Sequence, residues 1–289
     1  MRNWIYLLLL LPSIGTTQSP LLDSLQQRLA NPPTILHEID TWLGLARLAV
    51  FDGDFDRVEE CTNRAFQLSE QENYLAGKAK ALLYQSQAKG QTGATEESLM
   101  LIQQGLELAR QSGDLSTLLL AQYQLAEDYL YNKNQDVKAL AILTKATEID
   151  ESRVSPKTIG NIYKNIGQCY LYRRKLEQAE QAFLKALDYL ERPYLDPNLS
   201  IVSATEIDEG KLNEGQLYLY LLDVYDKFEE DTKAIEMGEK ALELYKDLEL
   251  KSCIAWAYEE LSYLMRNIGD LGQAIQYLQA ATKIYEALS

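Results

Sequence analysis

The chain has 289 residues, with 28 basic against 43 acidic side chains and a formal charge of -15. That deficit of cations excludes a nucleic-acid backbone and an anionic membrane surface as partners, since both would repel the chain at long range. One histidine and three cysteines leave little material for metal or nucleophile chemistry, and seven prolines with 15 glycines are too few for a disordered linker or a turn-dense β-sandwich.

Residues 1–17 read as a secretory signal peptide. Arg2 supplies the positive start, Trp4 to Leu11 is unbroken apolar, and Pro12 ends the run. Gly15 and Thr17 then offer a small-x-small cleavage site. A membrane-spanning helix needs about 20 apolar residues, so the run predicts cleavage, not anchoring. The mature chain is expected to be periplasmic or secreted, with no transmembrane span. Residues 18–38 follow as a short capping helix carrying Leu21, Leu22, Leu25 and Leu29, with a bend at Pro32-Pro33.

Residues 39–289 repeat. The first copy reads Trp42-x2-Leu45-Ala46-x2-Ala49, Gly53-Asp54, Val58-x3-Thr62-x2-Ala65. A blurred second copy holds Leu82, Ser86, Gly93, Ser98, Ile102 and Gly105. The third holds Leu125-Ala126-x2-Tyr129 and, one residue late, Ala139-x3-Leu143-x2-Ala146. The fourth reads Tyr163-x2-Ile166-Gly167-x2-Tyr170, then Ala179-x3-Phe183-x2-Ala186. The fifth reads Tyr218-x2-Leu221-Leu222-x2-Tyr225, then Ala234-x3-Gly238-x2-Ala241. The sixth reads Tyr258-x2-Leu261-Ser262-x2-Met265, Gly269-Asp270, Ala274-x3-Leu278-x2-Ala281. Anchors Val58, Ser98, Ala139, Ala179, Ala234 and Ala274 are thus separated by 40, 41, 40, 55 and 40 residues. Apolar residues recurring at three and four in both halves make each copy two amphipathic helices. Small residues such as Ala46, Ala126 and Gly167 mark where paired helices cross, and Gly53-Asp54 and Gly269-Asp270 mark turns.

Two features break the regularity. The 55-residue interval contains an insertion at 193–213, where Pro193 and Pro197 stop the preceding helix. It reads as a surface excursion or as a lip that contacts a partner; Asn198-Leu199-Ser200 within it is a glycosylation sequon if the export route is eukaryotic. Near the C-terminus, Ile275, Tyr277, Leu278, Ile284, Tyr285 and Leu288 form a face that a second copy, a partner or further chain would cover.

Motifs for chemistry are missing. The chain has no G-x-S-x-G elbow, no phosphate-cradling glycine loop and no C-x-x-C, which predicts no catalytic residues, no cofactor and no metal site. Asp52-Gly53-Asp54-Phe55-Asp56 resembles the start of a calcium loop, but Arg57 and Asn63 stand where glycine and glutamate are required. It is read as a repeat turn. His37 is assigned a capping or surface role, and Glu59-Glu60, Glu96-Glu97 and Glu229-Glu230-Asp231 solvated faces. Cys61, Cys169 and Cys253 are read as small buried hydrophobes, with one bridge plus a spare thiol as the alternative. From Asp196 to Glu260 there are 17 acidic against 6 basic residues; solubility is one reading of this, recruitment of a basic partner the other.

Over residues 39–288 the six copies resemble the tetratricopeptide repeat (TPR) family, though their period of 40 exceeds the family's usual length of about 34. The resemblance implies an all-α, right-handed α-solenoid of about six helix-turn-helix units whose first helices line a concave groove. On that frame the groove-facing residues of the first three units are Leu43, Arg47, Lys80, Leu83, Gln87, Tyr123, Glu127 and Tyr131. The next three units add Lys164, Asn165, Gln168, Tyr172, Leu219, Asp223, Asp226, Trp256, Glu259 and Tyr263. Rings, amides and isolated charges suit an extended peptide, with Trp256 as the expected hot spot. The chaperone-tail-binding subset of the family clamps its ligand with lysines and asparagines of consecutive units. Lys164 and Asn165 match one unit, but Gln216 and Tyr220 depart in the next, which disfavours that subset. The implied function is a non-catalytic protein- or peptide-binding scaffold or adaptor. The alternative is the N-terminal sensor region of a bacterial TPR-containing histidine-kinase receptor. A leader, a short Asp23-Ser24-Leu25 helix and 40-residue units look like such a region, without its membrane and output domains.

Overall fold

Helix punctuation sets the architecture. The computed structural model describes residues 20–132, 135–192 and 204–288; the leader, the first part of the insertion and its sequon lie outside them. Thirteen α-helices lie among the described residues. They are α1 (Pro20–Ala30), α2 (Ile35–Asp52), α3 (Phe55–Gln71), α4 (Leu75–Gln91), α5 (Thr95–Ser112), α6 (Leu115–Glu127) and α7 (Asp136–Ala146). After these come α8 (Pro156–Tyr172), α9 (Leu176–Glu191), α10 (Ala204–Lys227), α11 (Asp231–Asp247), α12 (Lys251–Ile268) and α13 (Leu271–Leu288). The hairpins α2/α3, α4/α5, α8/α9, α10/α11 and α12/α13 are each packed along their length. All six anchors, Val58, Ser98, Ala139, Ala179, Ala234 and Ala274, are buried.

One turn geometry joins successive helices. Asp54, Tyr74, Ala94, Lys175, Glu230, Leu250 and Asp270 each donate a backbone N–H to the carbonyl five residues back, closing a Schellman link. The residue before each sits at positive φ in every case. Gly53, Gly93 and Gly269 fill that place at 72, 83 and 97°, but Arg174 and Glu229 fill the equivalent place at 55 and 59°. An L side chain there costs about 1–2 kcal/mol. Allowing for the entropy glycine adds to the unfolded chain, Glu229→Gly should stabilise by about 0.5–1 kcal/mol and raise the Tm by about 1–4 °C. A scan showing no rise would contradict this account of the turn. Side-chain caps complete several helix starts: Thr34, Asp54, Asp114 and Asp270 accept from the N–H of His37, Arg57, Thr117 and Gln273. His37 therefore belongs to a cap, its Nδ1 2.7 Å from the Thr34 hydroxyl, and Asp54 to a turn.

The late anchor of the third copy has a structural cause. The extra residue falls between Ala126 and Ala139, and there α6 runs into a π-helical turn, Asp128–Asn132. A π turn absorbs one inserted residue without breaking the helix.

Contacts divide the chain into two compact units, the first ending at Ile142 and the second starting at Leu143. In the first, α1 packs Leu25 against Leu45, Ala46 and Cys61. Ile39, Leu43, Ala65, Leu68 and Ala81 form one cluster of its core, and Ala79, Leu83, Leu106, Ala109 and Ala121 another. In the second unit Gly167 lies under the buried ring of Phe183, which stacks on Tyr220 at 5.3 Å between centroids. Tyr163 and Tyr189 stack at 5.6 Å, with Lys185 4.2 Å and Arg192 4.0 Å from the ring centroids. Such pairs give part of the tyrosine excess, 19 against five phenylalanines, a structural use. Cys61, Cys169 and Cys253 are buried and no disulfide joins them; burial pushes the thiols of Cys61 and Cys253 up to about 11 and about 12. The end of the 193–213 insertion read from sequence is helical, because α10 already begins at Ala204. Among the described residues, no helix is long and apolar enough to cross a membrane.

Candidate functional site

Helix α8 has two contrasting faces. Proline at its first turn fixes the start, and Ile159, Ile162, Ile166 and Cys169 are buried apolar residues. On the same helix Asn161, Lys164, Asn165 and Gln168 stand at i, i+3, i+4 and i+7, the spacing of a single face. Such a stripe is normally either apolar and buried or polar and wet. Here it is polar and buried: Lys164 and Gln168 are 6 % exposed and Asn165 is 1 % exposed.

Lys164 reaches across to α10, donating to Asn213 Oδ1 at 2.8 Å and to Gln216 Oε1 at 3.0 Å. The amides beside it are not satisfied in this way. Among the described residues, Asn165 Oδ1 and Nδ2, Gln168 Oε1 and Asn161 Oδ1 have no hydrogen-bond partner. Each unmade bond of a buried polar group costs about 1–3 kcal/mol, and native interiors hold few such groups. Four on one helical stripe form an unusual concentration.

The remaining groove residues of this unit are less concentrated. Leu219 is packed in the core, so it is corrected from contact residue to support. Tyr172 is exposed at the end of α8. Asp223 pairs with Lys227 on its own helix. Asp226 accepts from Asn267 Nδ2 at 3.0 Å; burial holds its carboxyl above the ordinary range, and Asp223 and Asp231 add to this while Asn267 and Lys227 oppose it. Trp256 is half-buried and donates its indole N–H to Glu260 at 3.1 Å. Glu259 accepts from the Tyr285 hydroxyl at 3.0 Å. Tyr263 is exposed beneath the Arg266 guanidinium, 4.4 Å from the ring centroid.

In the first unit Leu43 and Leu83 are likewise core residues. The frame assigned them to the groove, yet α3, α4 and α5 cover them. Arg47, Lys80, Gln87, Tyr123, Glu127 and Tyr131 are half-buried. Gln124, absent from the groove assignment, is buried; its Oε1 accepts from the Ser86 hydroxyl at 3.2 Å and its Nε2 has no hydrogen-bond partner among the described residues. Gln124 and Asn165 hold one repeat position, two residues before the small residues Ala126 and Gly167. A polar amide at a position that packing should bury was the signal in the sequence for Gln124, and polar spacing at i, i+3 was the signal for Asn161.

An open cleft of about 470 Å³ lies elsewhere in the second unit, lined by Glu239, Leu242, Glu243, Lys246, Asp247, Tyr258 and Tyr277. The Lys246 ammonium already stands 5.3 Å from the Tyr258 centroid, so the cation place over that ring is taken. Among the described residues, no cluster of three or more histidine, cysteine, aspartate or glutamate side chains is placed to hold a metal.

No protein-family model and no curated protein sequence matches the chain. Solved structures do. NprR in complex with its cognate peptide NprX is similar at 15 % identity over 93 % of this chain and 74 % of that one, with a TM-score of 0.62. A Rap protein complexed with competence and sporulation factor is similar at 15 % identity, over 93 % of this chain and 81 % of that one, with a TM-score of 0.61. A signal-transduction ATPase with a tetratricopeptide repeat sensor, from Pyrococcus horikoshii, is similar at 15 % identity over 92 % of this chain and 39 % of that one, with a TM-score of 0.54. At these identities the likeness establishes the fold, that of TPR-like helical repeats.

Proposed function

We propose that the chain is a non-catalytic peptide-binding protein that receives an extended peptide along the amide stripe of α8 and the facing residues of α10. The observation that carries this reading is Asn165: an amide 1 % exposed, with both its donor and its acceptor unspent. A carboxamide offers one donor edge and one acceptor, the pair needed to meet the C=O and N–H of one peptide unit. The stripe from Asn161 to Gln168 rises about 10 Å, matching about three residues of extended chain. Two of the similar structures are described as holding a peptide or a factor, which favours the same use of the fold. The acidity of 196–260, together with Asp226 and Glu260 on α10 and α12, favours a ligand with basic side chains. Export through the leader at 1–17 belongs to the same reading and would put the ligand outside the cytoplasm.

Panning a random peptide display library against the full chain tests it. Enriched peptides should compete with one another, be rich in lysine or arginine, and bind more weakly as salt rises. A library that yields no enrichment over an unrelated helical protein would exclude the reading.

A further inference from the structure

The unmet groups of α8 specify more than a peptide backbone. Asn165 and Gln168, 1 and 6 % exposed, stand at i and i+3 of α8, which sets their Cβ atoms about 5–6 Å apart. Among the described residues, Asn165 Oδ1, Asn165 Nδ2 and Gln168 Oε1 have no hydrogen-bond partner. The place beside them therefore asks for two N–H donors and one acceptor. At the repeat position of Asn165 in the first unit, Gln124 Oε1 accepts from the Ser86 hydroxyl, so the position does not by itself leave an amide oxygen unmet. One residue of an extended chain turns one N–H and one C=O to the same side. It meets both ends of the Asn165 amide and leaves Gln168 without a donor. The next N–H on that side stands two residues on, about 7 Å away, and brings a second C=O with it. A primary carboxamide carries one oxygen and two N–H bonds, which complements the three groups directly.

We infer that the peptide proposed for this stripe carries a glutamine or asparagine side chain, whose carboxamide sits between Asn165 and Gln168; the inference rests on the peptide reading above. The ligand oxygen accepts from Asn165 Nδ2, one N–H returns to Asn165 Oδ1 and closes an amide pair, and the second N–H goes to Gln168 Oε1. Asn161 Oδ1, one turn before Asn165, is left for a backbone N–H of the same peptide. Other polar side chains fit less well. A carboxylate brings only acceptors, a guanidinium or ammonium only donors, and a hydroxyl donates once. A cation also meets Lys164, which stands on the same stripe and donates to Asn213 and Gln216. Basic residues of the ligand therefore belong away from this place, by the acids of α10 and α12.

Panning a random peptide library against the full chain should return glutamine or asparagine at one fixed position of the enriched peptides. In a synthetic peptide of the enriched sequence, changing that residue to methionine, glutamate or arginine should weaken binding at least about thirtyfold, because each leaves buried groups of the site unmet. Gln168→Met tests the chain's side of the contact. It should weaken the enriched peptide about tenfold and the methionine peptide less than about threefold, since the bond to Gln168 is already lost there. The change removes an unmet acceptor, so helical circular dichroism and melting temperature should not fall. Enriched peptides without a fixed amide residue overturn this inference and leave the peptide reading standing, as do two losses that simply multiply. A library that yields no enrichment overturns the peptide reading, and this inference with it.

Discussion

Replacing Asn165 by leucine is expected to raise the melting temperature of the protein while abolishing its capture of peptide. The two effects share one cause. Asn165 is 1 % exposed and neither end of its amide is bonded among the described residues, so folding strips water from the group and returns nothing for it. An apolar side chain of similar branching removes that debt, a gain of about 1–3 kcal/mol. For a cooperative unit of this size the gain corresponds to a rise in Tm of about 2–12 °C. Binding moves the other way, because the donor and acceptor that would meet the peptide backbone are gone. A residue placed for packing alone would behave in the opposite sense, losing stability and leaving capture intact. Calorimetric melting and peptide titration on the same two proteins decide between them. Lower stability with unchanged affinity would remove Asn165 from the site.

The pairing of helices was readable because close crossings admit few residues. Ala46, Ala126 and Gly167 recur at fixed spacing for a steric reason, and a steric reason survives in sequence. The turns were readable only where glycine marks them. Arg174 and Glu229 adopt the same left-handed conformation as Gly53 and Gly269, held by the same Schellman bond, and nothing in their chemistry announces it. The 55-residue interval marks an insertion at 193–213, and its prolines stop the preceding helix, but neither tells where the next helix starts. From Ala204 to Asn213 no proline interrupts the chain, and α10 extends back through that stretch. The site was partly readable. Lys164, Asn165 and Gln168 share one face of α8, as their spacing requires, but that face is buried where the frame expected an open groove. Leu43, Leu83 and Leu219 share the frame but pack in the core, because a repeat transfers position along a helix and not the neighbour that covers it. What no spacing could convey is that the amides of α8 are both buried and without a hydrogen-bond partner among the described residues.

Gly167→Ala is expected to destabilise the second unit, and a smaller residue at Phe183 is expected to restore part of the loss. A Cβ at Gly167 would fall against the ring of Phe183. That ring is fully buried and stacked on Tyr220, so it cannot swing aside without breaking a second contact. Overpacking of this kind costs about 1–3 kcal/mol, and alanine returns about 1 kcal/mol of helix propensity. The net loss of up to about 2 kcal/mol lowers the Tm by up to about 8 °C. The following copy shows why the pair matters more than either residue. There Leu222 holds the place of Gly167 and Gly238 the place of Phe183, and a Cβ on Gly238 would lie 2.8 Å from Leu222 Cδ1. Large and small have changed sides of the crossing with the close approach retained. Phe183→Leu alone should lose stability through the space it leaves. Combined with Gly167→Ala it should lose less than the two losses added, by a coupling of about 0.5–2 kcal/mol. Strictly additive melting data from the four proteins would mean that the crossing is not the contact that sets the distance between α8 and α9.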